Sequence, residues 1–231
     1  MTEVDPLEGF SGVFWVYEGG TRYLCTKNLD IGFRVYGERL FTSKAGEFRE
    51  WIPYRSKLAA AILRGLRGTS IGEGSRVLYL GAATGTTVSH ISDIVGYSGY
   101  VFAIDFAPRA MIQFLERVAK RRENVVPILG DARAPERYSH LVGEVDVVYC
   151  DVAQPEQASL LLANCNAFLV TGGEALIAIK SRSIDSTEDP ETVYNREIKL
   201  LERGGARVIE RVNLEPYERD HVLARLRYGG T

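Results

Sequence analysis

The sequence has little that marks a secreted, membrane-bound or nucleic-acid-gripping chain. Its three cysteines, Cys25, Cys150 and Cys165, are odd in number and form no C-x-x-C pair. That argues against a disulfide framework or a zinc site and for a reducing, intracellular setting. No His, Cys or carboxylate group has metal-ligand spacing, so any chemistry is expected to be metal-free. No apolar run approaches the length of a membrane span. The opening MTEVDPLEGF is acidic and lacks the apolar core of a signal peptide. A surplus of one charge is absent too: 28 Lys and Arg stand against 30 Asp and Glu, a net charge of −2. A chain that binds RNA or DNA unaided usually carries a basic excess. A nucleic-acid role here therefore needs a local basic patch or a partner protein. Repeats and low-complexity tails are also missing.

What is present is an ordinary globular composition, 45% hydrophobic and 25% charged over 231 residues. Two regions differ in pattern. Residues 1–52 hold aromatic and β-branched runs around Gly19-Gly20, which predict a β-hairpin in a small β-rich unit; IGFRVYGERLF follows, with a further turn at Gly37. From Pro53 the chain turns to helix formers, with Leu58, Ile62 and Leu66 on one face. Strands then alternate with helices through residues 53–231. Strands are expected at 76–81, 100–105, 125–129, 145–150 and 175–180, and helices near 86–95, 108–121, 155–168 and 190–203. ARVIERVNL and HVLARLRY predict a closing antiparallel hairpin at the sheet edge. The fold class is α/β, a Rossmann-like parallel sheet with helices on both faces.

The segment RVLYLGAATGTTVSH reads as strand, glycine loop and helix. The loop is Gly81-Ala82-Ala83-Thr84-Gly85, not the G-x-G-x-x-G of a dinucleotide site, and no P-loop lysine follows. It admits a close ligand without being built for phosphate, which disfavours a nicotinamide dehydrogenase. Asp105, Asp131 and Asp151 each end an apolar strand, on the binding edge of an open sheet. Any one of them alone reads equally as a helix N-cap; three together point to a ligand. Asp105 suits the two hydroxyls of a ribose. Asp131 suits an adenine amino group, with the Ala132 N–H on a ring nitrogen. An adenosine without phosphates and with a cationic tail fits such a cleft, which describes S-adenosylmethionine.

GAATGTTVSH, AIDFAPR, GDAR, DVAQPEQ and WIPYRSKLAAAI together resemble fibrillarin, the RNA ribose 2′-O-methyltransferase family of box C/D ribonucleoproteins. The resemblance spans almost the whole chain and is closer to the archaeal form, since a glycine- and arginine-rich nucleolar extension is absent; a cytoplasmic setting follows as an expectation. Asp105 stands where many members have Glu. The resemblance implies a methyltransferase fold and a cofactor site of Gly81, Ala83, Thr86, Thr87, Asp105, Phe106, Asp131, Ala132, Asp151, Val152, Ala153 and Gln154. It implies a catalytic set of Lys57, Asp151, Lys180 and His221. Taken singly, Lys57 also reads as a solvated helix lysine, His221 as a turn histidine, Phe106 as core, and Lys180 with Asp151 as a structural ion pair. His90 and His140 are read as structural.

The implied partners are a Nop-domain scaffold protein, a kink-turn-binding ribosomal-type protein, a box C/D guide RNA and target rRNA or tRNA, with no membrane. Arg55, Lys57, Arg133, Lys180 and Arg182 are the candidate RNA contacts, ahead of the helix-end cluster AKRRE at 119–123. Phe14, Trp15, Tyr17, Phe33 and Tyr36 are expected to supply part of the scaffold surface or the core of the N-terminal unit. Two other activities suit the same sequence: methylation of a protein glutamine, and a non-catalytic subunit that binds the cofactor for structural ends.

Overall fold

The structure is a computed structural model and describes residues 2–229. Five strands, β1 (Glu3–Pro6), β2 (Val13–Glu18), β3 (Thr21–Lys27), β4 (Leu40–Ser43) and β5 (Gly46–Glu50), form an antiparallel sheet in the order β1-β2-β3-β5-β4. The Gly19-Gly20 hairpin is tight: Glu18 pairs with Thr21, and both glycines have positive φ, 58° and 78°. Two successive residues at positive φ make the turn that follows the natural twist of the strands. Of IGFRVYGERLF only its last two residues are strand. The preceding loop is folded around Glu38 instead, whose carboxylate accepts from the Val35 and Tyr36 N–H groups at 3.0 and 2.8 Å.

Helix α1 (Lys57–Leu63) follows, with Ser56 as its N-cap. The chain then alternates: β6 (Arg76–Leu80), α2 (Thr86–Val95), β7 (Tyr100–Asp105), α3 (Pro108–Arg117), β8 (Val125–Leu129), α4 (Ser139–Val142), β9 (Val145–Cys150), α5 (Gln157–Phe168), β10 (Leu169–Lys180), α6 (Ser181–Ile184), α7 (Pro190–Arg203), β11 (Ala206–Asn213) and β12 (His221–Tyr228). The strands form one sheet in the order β11-β12-β10-β9-β6-β7-β8. β10 to β8 run parallel, and β12 is antiparallel to both β10 and β11. The closing hairpin is present, and its second strand inserts next to β10 so that β11 becomes the edge. The helix expected over 108–121 ends at Arg117 and yields to a 3₁₀ turn at Ala119–Arg121. β10 begins at Leu169, earlier than expected, because a register shift between Leu169 and Glu174, with Gly172 at φ 76°, lets it join directly to α5. Among the described residues no helix is long and apolar enough to cross a membrane.

Strand side chains alternate between two cores. Val77 and Tyr79 of β6 face one, and Leu78 and Leu80 face the other. The first core also takes Val13, Leu24 and Trp51 from the N-terminal segment, so that segment and the large sheet share apolar packing. Full burial of each such side chain is worth about 1.5–3 kcal/mol.

Asp93 on α2 adds a polar node to this junction. Its carboxylate accepts from Thr26 Oγ1 (2.7 Å), the Leu29 N–H (3.1 Å), Arg49 Nε (2.9 Å) and an Arg122 guanidinium nitrogen (2.6 Å). Arg49 also pairs with Glu38 and donates to Ser89 Oγ at 2.9 Å. Two arginines thus meet two carboxylates in a site sealed from water. His90 lies alongside, stacked on Trp51 at 4.9 Å, with its ring nitrogens 2.7 Å from Thr26 Oγ1 and 2.8 Å from Tyr36 Oη. Burial first, then Arg49 and Arg122, push the His90 pKa well below its usual range, so the ring is neutral.

Asp93→Asn leaves two buried guanidiniums facing one carboxylate, and it is expected to cost about 3–5 kcal/mol of unfolding free energy, measured by urea titration. His90 binds a proton in the unfolded chain below about pH 6.5 but not in the folded one. Its contribution is therefore complete above that pH and is lost as pH falls, by up to about 1.4 kcal/mol per pH unit. His90→Gln should flatten that acid limb relative to wild type; identical slopes would contradict the neutral buried ring.

Candidate active site

The sheet changes direction at β6. β7 and β8 lie on one side of it and β9 and β10 on the other. At such a switch point the loops leaving neighbouring strands diverge and open a crevice at their carboxyl ends. The Gly81–Gly85 loop fills its floor. Gly81, at φ 89°, lies so close to β9 that a Cβ there would sit 2.9 Å from the Asp151 carbonyl oxygen and 3.2 Å from the Val152 nitrogen. Gly85, at φ 87°, would drive a Cβ to 2.4 Å from the Phe114 ring. Asp105 ties the loop down, accepting from the Ala83 N–H at 2.7 Å and from the Ala107 N–H at 2.9 Å.

Two clefts meet across this loop and share Gly81, Ala83 and Asp151. The first, about 250 Å³, is walled on one side by Asp105, Phe106, Asp131 and Ala132, and on the other by Val152, Ala153, Gln154 and Lys180. Phe106 is 64% exposed, so core packing does not account for it. Asp131 is gripped by the Arg133 guanidinium at 2.6–3.0 Å, which holds its carboxyl below the usual range. The second cleft, about 360 Å³, is lined by Tyr54, Arg55, Lys57, Thr86, Thr87 and Glu218. The two threonines therefore stand at the second cleft and not at the first. Thr87 Oγ1 donates to Ser56 Oγ at 3.0 Å, which joins the start of α2 to the cap of α1.

Asp151 is the hub between the clefts. Lys180 Nζ donates to its carbonyl oxygen at 2.8 Å and lies 2.8 Å from Oδ1. Lys57 Nζ donates to Oδ2 at 3.4 Å and lies 3.2 Å from Oδ1. Both ammoniums thus meet on one buried carboxylate oxygen, Oδ1. His221 sits beside Lys180 in the β10–β12 register. Its Nδ1–H donates to the Arg219 carbonyl at 2.6 Å, which leaves Nε2 as an acceptor. Burial lowers the His221 pKa, Lys57 and Lys180 add to the fall, and the Arg219 carbonyl and Glu218 oppose it. Lys57, Asp151, Lys180 and His221 thus converge, although they lie up to 164 positions apart in the chain.

Two residues escape the sequence reading. Gln157, fully buried at the start of α5, accepts from the Lys180 N–H at 3.1 Å and donates to the Lys180 carbonyl at 3.4 Å. Glu218 lies 3.8 Å from Lys57 Nζ. The only sequence signal for the first is its place at the end of DVAQPEQ; the second is one of many loop acids.

The basic residues are largely engaged within the chain. Arg121 pairs with Asp30, Arg122 is buried on Asp93, and Lys120 pairs with Glu116, so AKRRE is not a free patch. Arg133 holds Asp131 and Arg182 holds Asp220. Phe14, Trp15, Phe33 and Tyr36 are half-buried and packed on the cores, and Tyr17 is half-buried on β2.

The family model described as Fibrillarin matches residues 4–229. The chain is similar to a fibrillarin-like rRNA/tRNA 2′-O-methyltransferase of Staphylothermus marinus, at 51% identity over 229 residues, which is 99% of this chain and 97% of that one. Its structure resembles Aeropyrum pernix fibrillarin with natively bound S-adenosyl-L-methionine, at TM-score 0.88 and 50% identity, covering 98% and 100% of the two chains. It also resembles a chain of a fibrillarin/Nop5p complex, at TM-score 0.85 and 41% identity, covering 96% and 100%.

Gly81→Ala is expected to be costlier than a positive φ alone explains. Gly19→Ala is the control, since nothing lies within 4 Å of a Cβ there. The control should lose about 1–2 kcal/mol, and Gly81→Ala about 1–3 kcal/mol more from overlap with Asp151. Equal losses in urea unfolding would mean that the two loops can move apart.

Proposed function

The chain belongs to the fibrillarin family, and from that premise and the site geometry we propose that it methylates the ribose 2′-hydroxyl of rRNA and tRNA, using S-adenosylmethionine, within a guide-RNA ribonucleoprotein. The observation that carries the mechanism is the convergence of Lys57 and Lys180 on Asp151, with His221 beside Lys180 in the sheet.

The first cleft fits an adenosine. Asp105 has lone pairs beyond its two backbone bonds for a ribose diol. Phe106 offers an apolar face to a base, and Asp131 and Ala132 stand where its edge would be read. Thr86 and Thr87 open α2, whose first N–H groups have no partner within the helix and suit the carboxylate of an amino-acid tail. When bound, the cofactor supplies a methyl group on a positively charged sulfur.

The residues must then hold a weakly acidic hydroxyl in line with that methyl group and take its proton. Positioning is the larger of the two effects. Lys57 and Lys180 pair with Asp151 and offer donors to an incoming oxygen. His221 Nε2 is the open acceptor. The hydroxyl proton would leave to His221, whose lowered pKa keeps the ring neutral and ready for it at pH 7.

A net charge of −2 and the internal pairing of most arginines near the clefts leave little for unaided RNA binding. Target choice is therefore assigned to a guide RNA. A Nop-domain scaffold carries the enzyme, as in the fibrillarin/Nop5p complex that it resembles, and a kink-turn-binding protein anchors the guide.

The test is transfer of labelled methyl to a guide-paired RNA in the assembled particle. Lys180→Ala is expected to lose at least about 10²-fold in rate while retaining cofactor binding, and a 2′-deoxy target should accept nothing. Transfer that survives both changes would move the substrate to protein.

A further inference from the structure

We propose that Glu218 is a positioning residue of this site: its carboxylate fixes the Lys57 ammonium beside Asp151 and completes the charge balance of the cluster. The inference rests on the methyl-transfer reading above.

Lys57 is the first residue of α1, at the positive end of the helix, where a cation is disfavoured. It is only 16% exposed, so water does little to compensate. Asp151 cannot serve it alone, because Lys180 claims the same group at 2.8 Å. Two lysines on one carboxylate leave an uncompensated positive charge in a half-closed cleft. Glu218, 3.8 Å from Lys57 and 28% exposed, supplies the missing negative charge. Lys57, Lys180, Asp151 and Glu218 together are neutral.

The loop that carries Glu218 is fixed at both ends. The Glu218 N–H donates to the Leu214 carbonyl at 3.2 Å, and the Leu214 N–H to the His221 carbonyl at 3.1 Å. Tyr217 packs edge-on against Tyr54 at 5.1 Å. The Ser181 N–H, next to Lys180, donates to the Asp220 carbonyl at 3.2 Å. Glu218 and His221 are thus parts of one anchored loop, and the Arg219 carbonyl between them orients the His221 ring. Without the Glu218 charge, Lys57 has a single attractor, the carboxylate that it must share with Lys180.

Glu218→Gln keeps the shape and removes the charge. It is expected to lower kcat about 10- to 100-fold, with cofactor affinity and melting temperature unchanged, and Glu218→Asp should recover part of the loss. The charged groups facing His221 are Lys57, Lys180 and Glu218. Loss of the one that raises its pKa should move the acid limb of the pH–rate profile to lower pH. In ¹³Cε-lysine NMR without cofactor or RNA, the Lys57 signal, assigned through Lys57→Arg, should shift in Glu218→Gln. An unmoved Lys57 signal with wild-type kcat would overturn the proposal, as would a parallel fall in cofactor affinity and stability, which would mark a loop-folding residue. The NMR reading is independent of the reaction: if wild-type enzyme fails to methylate a 2′-hydroxyl while the Lys57 signal still responds, the substrate assignment fails and the placement of Lys57 stands.

Discussion

The buried carboxylate of Asp93 is the constraint on which the arrangement of the site depends. It draws Arg49 from the N-terminal sheet and Arg122 from the turn before β8 onto one face of α2. The same helix begins at the cleft with Thr86 and Thr87. The chain leaves the N-terminal sheet at Glu50, passes Trp51 stacked on His90, and enters α1 only a few residues later, at Lys57. The docking of the small sheet on α2 therefore sets where Lys57 arrives relative to Asp151 and Lys180, which belong to the large sheet. Buried ion pairs add little net stability but are costly to break; here four charges close on one another, and the alternative to correct docking is a set of unpaired charges away from water.

The same economy of charge shapes the cleft. One aspartate is shared by two lysines, and a glutamate from a loop far along the chain balances the sum. The arginines near the clefts mostly grip carboxylates of the protein itself. A surface arranged in this way leaves few free cations beside the clefts for a phosphate backbone. The proposed function accordingly leaves specificity to base pairing and to the scaffold.

Much of this was legible along the chain. The apolar runs ending in Asp105, Asp131 and Asp151 and the GAATG loop placed a cleft at the carboxyl ends of the strands, because strand order and the direction of crossovers are limited by chain geometry. Some boundaries shifted. β10 begins earlier than its most apolar stretch, since the strand pairs through a bulge at Gly172, and α3 ends before its basic residues because Arg121 and Arg122 are needed elsewhere. AKRRE reads as a basic surface cluster and is instead spent on Glu116, Asp30 and Asp93, partners that local spacing does not disclose.

The sequence by itself determined the fold class, the position of the glycine loop, and the residue types at each strand end. These follow from periodicity and backbone sterics, which act over a few neighbouring residues. Only the tertiary structure decided that Gln157 clamps the Lys180 backbone, that Glu218 faces Lys57, that Thr86 and Thr87 line the second cleft, and that two lysines meet on Asp151 Oδ1. Each of these depends on distances between groups far apart in the chain. Charge and hydrogen-bond geometry act across space, and a linear pattern carries no information on which of thirty carboxylates will meet which of twenty-eight cations.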